Sequence, residues 1–77
     1  MAGKQRFETE LAAWSWLDVS LWYGPVVLKR ILTRIQDQGY NAHQLYHSVV
    51  EMRQTLVAES GQPPLNLPTW EQVAPTP

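Results

Sequence analysis

The residues best suited to chemistry are two histidines, His43 and His47, in the sequence HQLYH. On a helix, a spacing of four places both imidazoles on one face, as in the HExxH helices that chelate zinc. Glu51 extends this face but lies two turns from His43, so the three side chains cannot close a tight site. The catalytic glutamate of HExxH is also absent. We therefore interpret this face as solvated and expect neither a metal nor a cofactor.

Nucleophilic catalysis has no better support in the chain. The sequence has no cysteine, no glycine-rich phosphate loop and no GxSxG motif. No evident base lies beside any of its serines. A chain of 77 residues also rarely forms the concave pocket that catalysis uses. We expect a protein that is not an enzyme and that has no catalytic residues.

Cysteine content and the N-terminal sequence bear on location. Without cysteine, disulfides and thiolate metal sites are excluded, which is compatible with a reducing compartment. The N-terminal sequence MAGKQRFETE is charged where a secretory signal would be apolar, so we expect no signal peptide. Together these features predict a cytoplasmic protein.

A turn between two predicted helices raises the question of DNA binding. Gly39, Tyr40 and Asn41 form a connection of the length and composition found in helix-turn-helix proteins. The candidate contacts are Lys29, Arg30 and Arg34 for phosphates and His43, Gln44 and His47 for base edges. Against this reading, the net charge is −1, and the helix that would enter the groove carries a single basic residue, Arg53. Because the same turn joins ordinary helical hairpins, a DNA-binding regulator is the second hypothesis.

The most unusual stretch is 11–28, LAAWSWLDVSLWYGPVVL, which holds three of the four tryptophans and a single charge, Asp18. With helical periodicity, this stretch is apolar on two faces. The face predicted to enter the core contains Phe7, Leu11, Trp14, Leu17 and Leu21. The opposite face contains Ala12, Trp16, Val19 and Tyr23. A helix of this kind either is buried all round or packs its own domain with one face and a partner with the other.

A membrane span is the alternative reading of this stretch. Its length approaches the roughly 20 residues that cross a bilayer, and Lys29 and Arg30 would then lie on the inner side. However, Asp18 near the centre would cost about 2.5–3.5 kcal/mol on insertion. Gly24 and Pro25 do not offset that cost. We therefore rank a membrane-associated subunit third among the hypotheses.

Glycine and proline divide the chain into three predicted helices, at 6–23, 25–38 and 42–59. Pro25 suits the first position of the second helix, and Gly39 suits the residue that follows its end. Asn41 is the predicted N-cap of the third helix, with Gln44 completing a capping box. Asp18 either caps a second helix start within the first segment or is a buried carboxylate that needs a donor. The stripes predicted to meet in the core are Leu28, Ile31, Leu32 and Ile35 on the second helix and Ala42, Leu45, Val49, Met52 and Leu56 on the third.

The C-terminal segment 62–77 is a proline-rich arm with five of the six prolines. It also carries three large apolar residues, Leu65, Leu67 and Trp70. Since such residues are scarce in disordered tails, we expect an extended arm that docks on its own domain or on a neighbour. Thr69 and Gln72 predict the cap of one short turn, Trp70–Val73.

These patterns predict an all-α fold, in which a helical hairpin and an N-terminal aromatic helix form a domain at 1–61, followed by the arm. A chain this short buries only about 60% of its unfolded surface, so a partner would add stability. We expect a noncatalytic protein-interaction module, a small regulatory, adaptor or accessory subunit with a protein partner or as a homodimer. The predicted contact residues are Trp16, Val19, Trp22, Tyr23, Leu65, Leu67 and Trp70. The alternative is that the arm covers this aromatic patch, with Leu67 and Trp70 stacked on it.

Overall fold

The computed structural model describes residues 6–75, and the regular elements in this range are helical. Helix α1 is Glu10–Ser20, and a single 3-10 turn, Leu21–Tyr23, continues it. The remaining helices are α2 at Pro25–Asp37, α3 at Ala42–Glu59 and a short α4 at Trp70–Val73. Between residues 6 and 75 there is no strand, so the predicted all-α fold is confirmed. Residues 1–5 of the predicted domain and residues 76–77 of the predicted arm lie outside the described range.

Helix α1 begins at Glu10, so the predicted start at residue 6 is wrong. Thr9 has an extended backbone, and its side-chain oxygen Oγ1 accepts a 3.0 Å hydrogen bond from the backbone N–H of Ala12. This N-cap satisfies a donor that the first helical turn leaves without a partner. The cap, rather than the apolar periodicity around it, determines where the helix starts.

The extended segment before α1 is anchored by Phe7, whose side chain is buried. Its backbone N–H donates to Gln38 Oε1 over 2.8 Å, and its carbonyl oxygen accepts from the Tyr40 hydroxyl over 3.0 Å. Both partners belong to the connection between α2 and α3. Phe7 is therefore a core residue, as predicted, but it enters the core from outside the first helix.

Helix α1 runs through Asp18 without a break and ends in the 3-10 turn. Gly24 then has a φ of +92°, a conformation that glycine adopts without a steric penalty. Pro25 follows as the first residue of α2, as predicted. A second helix start at Asp18 is excluded, and Asp18 is the partly buried carboxylate of the other alternative.

The core forms where α1, α2 and α3 meet, and α4 packs against α2. The whole predicted stripe of α2 is buried, namely Leu28, Ile31, Leu32 and Ile35. On α3, Leu45 and Val49 are buried as predicted, but Leu56 is 47% exposed. Because α3 has 18 residues and α2 only 13, its last turns extend beyond the neighbouring helices.

The core-facing side of α1 matches the prediction in part. Leu17 and Leu21 are buried as predicted, and Ala13 is also fully buried, whereas Leu11 is 71% exposed. Ser20 is also buried, and its hydroxyl donates over 2.7 Å to a main-chain carbonyl one turn earlier. Small side chains at positions 13 and 20 allow close packing of α1 on its neighbours. This contact turns Leu11 away from the core.

The described part of the arm docks on its own chain. The side-chain amide of Gln54 accepts from the backbone N–H of Leu65 over 2.7 Å and donates to its carbonyl over 2.8 Å. Nearer the end of the arm, the hydroxyl of Tyr46 donates to the Pro68 carbonyl over 2.5 Å. These contacts hold the arm along α3.

Helix α4 is the short turn predicted from the sequence. The backbone N–H of Thr69 donates to Gln72 Oε1 over 2.8 Å, which caps the turn as expected. The side chain of Val73 is fully buried. Residues of the arm thus contribute to the core that the three longer helices form.

Candidate interaction surface

An exposed apolar region, here termed the aromatic face, is formed by α1 and the 3-10 turn and consists of Trp16, Val19, Trp22 and Tyr23. The exposed fractions of these residues are 44, 54, 55 and 65% in that order. The orientation of α1 explains the exposure, because Ala13 and Leu17 occupy its core side and leave the opposite side to solvent. Large aromatic side chains bury much apolar area on contact, and Trp and Tyr are enriched at interface hot spots.

Trp16 is supported on one side by the core. Its ring centroid lies 6.4 Å from that of the buried Phe7, with the ring planes tilted by 56°. Together with Ser15 and Val19, Trp16 lines a shallow surface depression of about 250 Å³. The contact with Phe7 leaves the rest of the indole surface available for contact.

Trp22 lies beside an ion pair between Asp18 and Arg53. The Nε and Nη2 atoms of Arg53 donate to the two carboxylate oxygens of Asp18, each over 2.6 Å. The guanidinium carbon is 5.8 Å from the centroid of the Trp22 ring, within cation–π range. Hydrogen bonding to Asp18 raises the pKa of Arg53, while burial acts in the opposite direction. Since both carboxylate oxygens are occupied, Asp18 joins α1 to α3 and is not placed to act as a base.

The arm does not lie on the aromatic face. The ring centroid of Trp70 is 4.7 Å from that of His43 and 6.1 Å from that of Tyr46, and both of these residues belong to α3. Leu67 and Trp70 pack against the core, and Leu65 is hydrogen-bonded to α3. Stacking of Leu67 and Trp70 on the aromatic patch is therefore excluded for residues 62–75. A contact of these arm residues with a partner stays a prediction.

The residues considered for DNA contact lie on two helices and line three different surface depressions. The phosphate candidates, on the outward face of α2, are Lys29, Arg30 and Arg34. His43 and His47, with ring centroids 6.0 Å apart, face the arm. Gln44 instead borders a depression that Glu10 and Trp14 also line. None of these depressions is lined by both the cations and the base-reading candidates.

Polar side chains form no candidate metal site in the described chain. Among residues 6–75, no group of three or more metal-ligating side chains could hold an ion. The histidine face is partly used within the fold, because His43 contacts Trp70 of the arm. The buried side-chain polar atoms of the described residues all have hydrogen-bond partners. The aromatic face is therefore the feature with the clearest capacity to bind another molecule.

No protein-family model, no curated protein and no solved structure matches this chain. Over residues 6–75, none of the helices has both the length and the apolar character needed to cross a membrane.

Proposed function

We propose that the chain is a noncatalytic protein-interaction module, a small regulatory, adaptor or accessory subunit in the cytoplasm. The aromatic face is its contact surface. Binding buries Trp16, Val19, Trp22 and Tyr23 against an apolar surface of another protein molecule. That molecule is a second copy of this chain or a larger partner, and solution mass separates the two.

The observation that carries the proposal is the exposure of four large apolar side chains beside a core that is already closed. The arm could have covered them, but Trp70 packs on α3 and the side chain of Val73 is buried in the core. Burial of apolar surface contributes about 25 cal/mol per Å², so a partner that covers this region gains binding free energy. Clustered exposed apolar residues on small proteins are typical of contact surfaces.

The way in which α1 is held also supports the proposal. Phe7 anchors the segment before the helix through two backbone hydrogen bonds. The ion pair between Asp18 and Arg53 fixes the C-terminal end of the helix to α3. A surface that is ordered before association loses less conformational entropy when a partner docks.

Solution mass identifies the kind of partner. Size-exclusion chromatography with light scattering on the full chain, without detergent, should give 8.8 kDa for a monomer or twice that value for a dimer. A dimer that dissociates on Trp16→Ala would place the aromatic face at a twofold self-interface. A monomer would direct the search to a different protein, isolated with the full chain and then titrated against it.

Truncation of the aromatic side chains tests the proposal. Trp16→Ala and Tyr23→Ala should each weaken association by about tenfold or more, because hot-spot residues contribute above about 1 kcal/mol. Circular dichroism should show unchanged helicity. Leu56→Ala is the matched control, since Leu56 is also exposed and apolar but lies on α3; association should stay within about twofold.

Two outcomes would contradict the proposal. Normal association of both truncated variants would remove the aromatic face from the interface. Unfolding of both variants would show that their side chains serve the core. Val19→Glu separates these cases, because it places a charge on the same face at a position that is 54% exposed. If the aromatic face is the contact surface, this variant should stay folded and lose association.

A further inference from the structure

The outward face of α2 carries a second feature, here termed the basic stripe. Its members recur at helical spacing on the side opposite the core and are Val26, Lys29, Arg30, Thr33, Arg34 and Asp37. They line a shallow surface groove of about 450 Å³. The stripe holds three of the six basic residues of a chain whose net charge is −1, so positive charge is concentrated here.

The three cations of the basic stripe have no carboxylate partner in the described structure. Over residues 6–75, the ion pair observed is the one between Asp18 and Arg53. Arg30 and Arg34 are one turn apart, a spacing at which like charges destabilise a helix. Arg34 lies in the last turn of α2, where a cation stabilises a helix. Lys29 and Arg30 lie too far from the helix end for this effect, and all three charges remain available to a ligand.

The start of the stripe is apolar. Val26 is 65% exposed, and the equally exposed Tyr23 precedes it along the chain. An apolar residue followed by cations three, four and eight residues later complements a helix that carries an apolar residue and carboxylates at matching intervals. Two helices dock in this way through side chains at intervals of three and four residues, which is the spacing of the exposed residues on α2.

We propose that the basic stripe binds an acidic amphipathic helix of another protein. Carboxylates of that helix pair with Lys29, Arg30 and Arg34, and an apolar side chain packs on Val26. This surface lies on α2 and does not require the aromatic face, so the two proposals can fail independently.

Nucleic acid and membrane surfaces fit the stripe less well. The cations from Lys29 to Arg34 span only about 8 Å along the helix axis, whereas DNA-binding proteins commonly make about 6–10 phosphate contacts. The carboxylate of Asp37 on the same face would repel phosphates. A helix that lies in a membrane inserts its apolar side, but the apolar side of α2 is buried in the core.

The test is fluorescence anisotropy with the full chain and a labelled synthetic amphipathic helix. The peptide carries glutamates at three- and four-residue intervals and leucine anchors, and a second peptide has glutamine in place of every glutamate. The full chain should bind the glutamate peptide about tenfold more tightly than the glutamine peptide, and added salt should weaken this binding. The triple variant Lys29→Gln, Arg30→Gln, Arg34→Gln should lose the difference.

A charge-matched variant controls for net charge. Thr55→Glu, Ala58→Glu and Gln62→Glu lower the net charge by the same three units at exposed positions outside α2. This variant should bind the glutamate peptide within about twofold of the unmodified chain. Circular dichroism should show both triple variants folded.

Three results would overturn the proposal. One is equal binding of the two peptides, and another is retained binding by the glutamine triple variant. The third is tighter, stripe-dependent binding to a DNA duplex or to anionic phospholipid vesicles, which would assign the cations to phosphate groups.

Discussion

At the scale of single residues, the contact between Asp18 and Arg53 fixes the position of α1 on α3. Arginine presents two donors in a planar fork that matches the two carboxylate oxygens, which lysine does not reproduce. The side chains are 16% and 32% exposed, so water screens the pair only in part. The single charge in the aromatic run 11–28 is therefore a specific link between helices.

Removal of this pair should measurably destabilise the fold. Asp18→Asn should lower the free energy of unfolding by about 1–2 kcal/mol, because the negative charge and one of the two acceptor oxygens are lost. Arg53→Lys should cost a similar amount, and the double variant should cost less than the sum. Urea denaturation measures all three. Arg6→Gln, at an exposed cation, should change stability by less than about 0.5 kcal/mol, and an additive double variant would show that the pair contributes nothing.

Tyr46 is the buried phenol that links α3 to the arm. Burial raises the pKa of its hydroxyl above the ordinary value of 10.0. A group whose pKa is higher in the folded state contributes stability that is complete below its unfolded pKa. This contribution is lost as the pH rises through the folded pKa.

The variant Tyr46→Phe should therefore act differently at neutral and alkaline pH. At neutral pH it should be less stable by about 0.5–1.5 kcal/mol, since the hydrogen bond to the Pro68 carbonyl is lost. Above about pH 10, the unmodified chain should lose stability that the variant retains, so the difference should shrink. Urea denaturation at neutral pH and at about pH 11 tests this, with the exposed Tyr23→Phe as control. If the difference in unfolding free energy between the two proteins widened as the pH rose, a raised pKa of Tyr46 would be refuted.

At the scale of secondary-structure elements, α1 shows how packing selects between two apolar faces. The sequence pattern placed Leu11 and Trp14 on the core side because large apolar residues dominate the pattern. In the fold, Leu17 faces the core as predicted, but it is joined there by Ala13, and Trp14 lies at the edge, where its indole N–H donates to Ser48 Oγ over 3.1 Å. A small residue at the helix contact permits close approach, and periodicity alone does not weigh that advantage.

Paired substitutions test this orientation of α1. Ala13→Leu should lower the free energy of unfolding by about 1–3 kcal/mol, because a larger side chain cannot fit at a fully buried position. Leu11→Gln should change it by less than about 0.5 kcal/mol, since Leu11 is mostly exposed. Thermal unfolding of the two variants gives the comparison. If Leu11→Gln were more destabilising than Ala13→Leu, Leu11 would face the core, as periodicity predicted.

At the scale of the whole molecule, the arm completes a core that three short helices leave open. Chains of this size bury a smaller fraction of their unfolded surface than larger proteins do and are only marginally stable. Each apolar residue that the fold covers therefore contributes noticeably to the free energy of unfolding. Val73 is fully buried, and Leu67 and Trp70 pack against the same core. The arm is thus an intramolecular clamp over residues 62–75, and it leaves the aromatic face free.

Deletion of residues 62–77 should expose apolar core surface. The truncated chain should bind a hydrophobic dye or aggregate, and it should melt at a lower temperature than the full chain. Val73→Ala should show part of the same effect, with a loss of about 1–3 kcal/mol, whereas Val26→Ala at an exposed position should be nearly neutral. An unchanged truncated chain would show that the arm has no structural role.

Local sequence features determined much of this protein's secondary structure. The all-α class, the bounds of α3, the glycine-proline junction at 24–25, the buried stripe of α2 and the short capped turn Trp70–Val73 all follow from the sequence. These features depend on neighbours within about four residues, through helix periodicity, capping and the conformations open to glycine and proline. The sequence also marked Trp16, Val19, Trp22 and Tyr23 as contact residues outside the core.

Tertiary structure decided the rest, because the deciding contacts join residues far apart in the chain. Arg53 lies 35 positions from Asp18, and no local pattern names it as the partner. The hydrogen bonds from Gln38 and Tyr40 to Phe7 likewise connect the N-terminal segment to a distant turn. The choice of the core face of α1 and the path of the arm along α3 depend on which close-packed arrangement buries the most apolar surface. That arrangement leaves the aromatic face and the basic stripe on the surface.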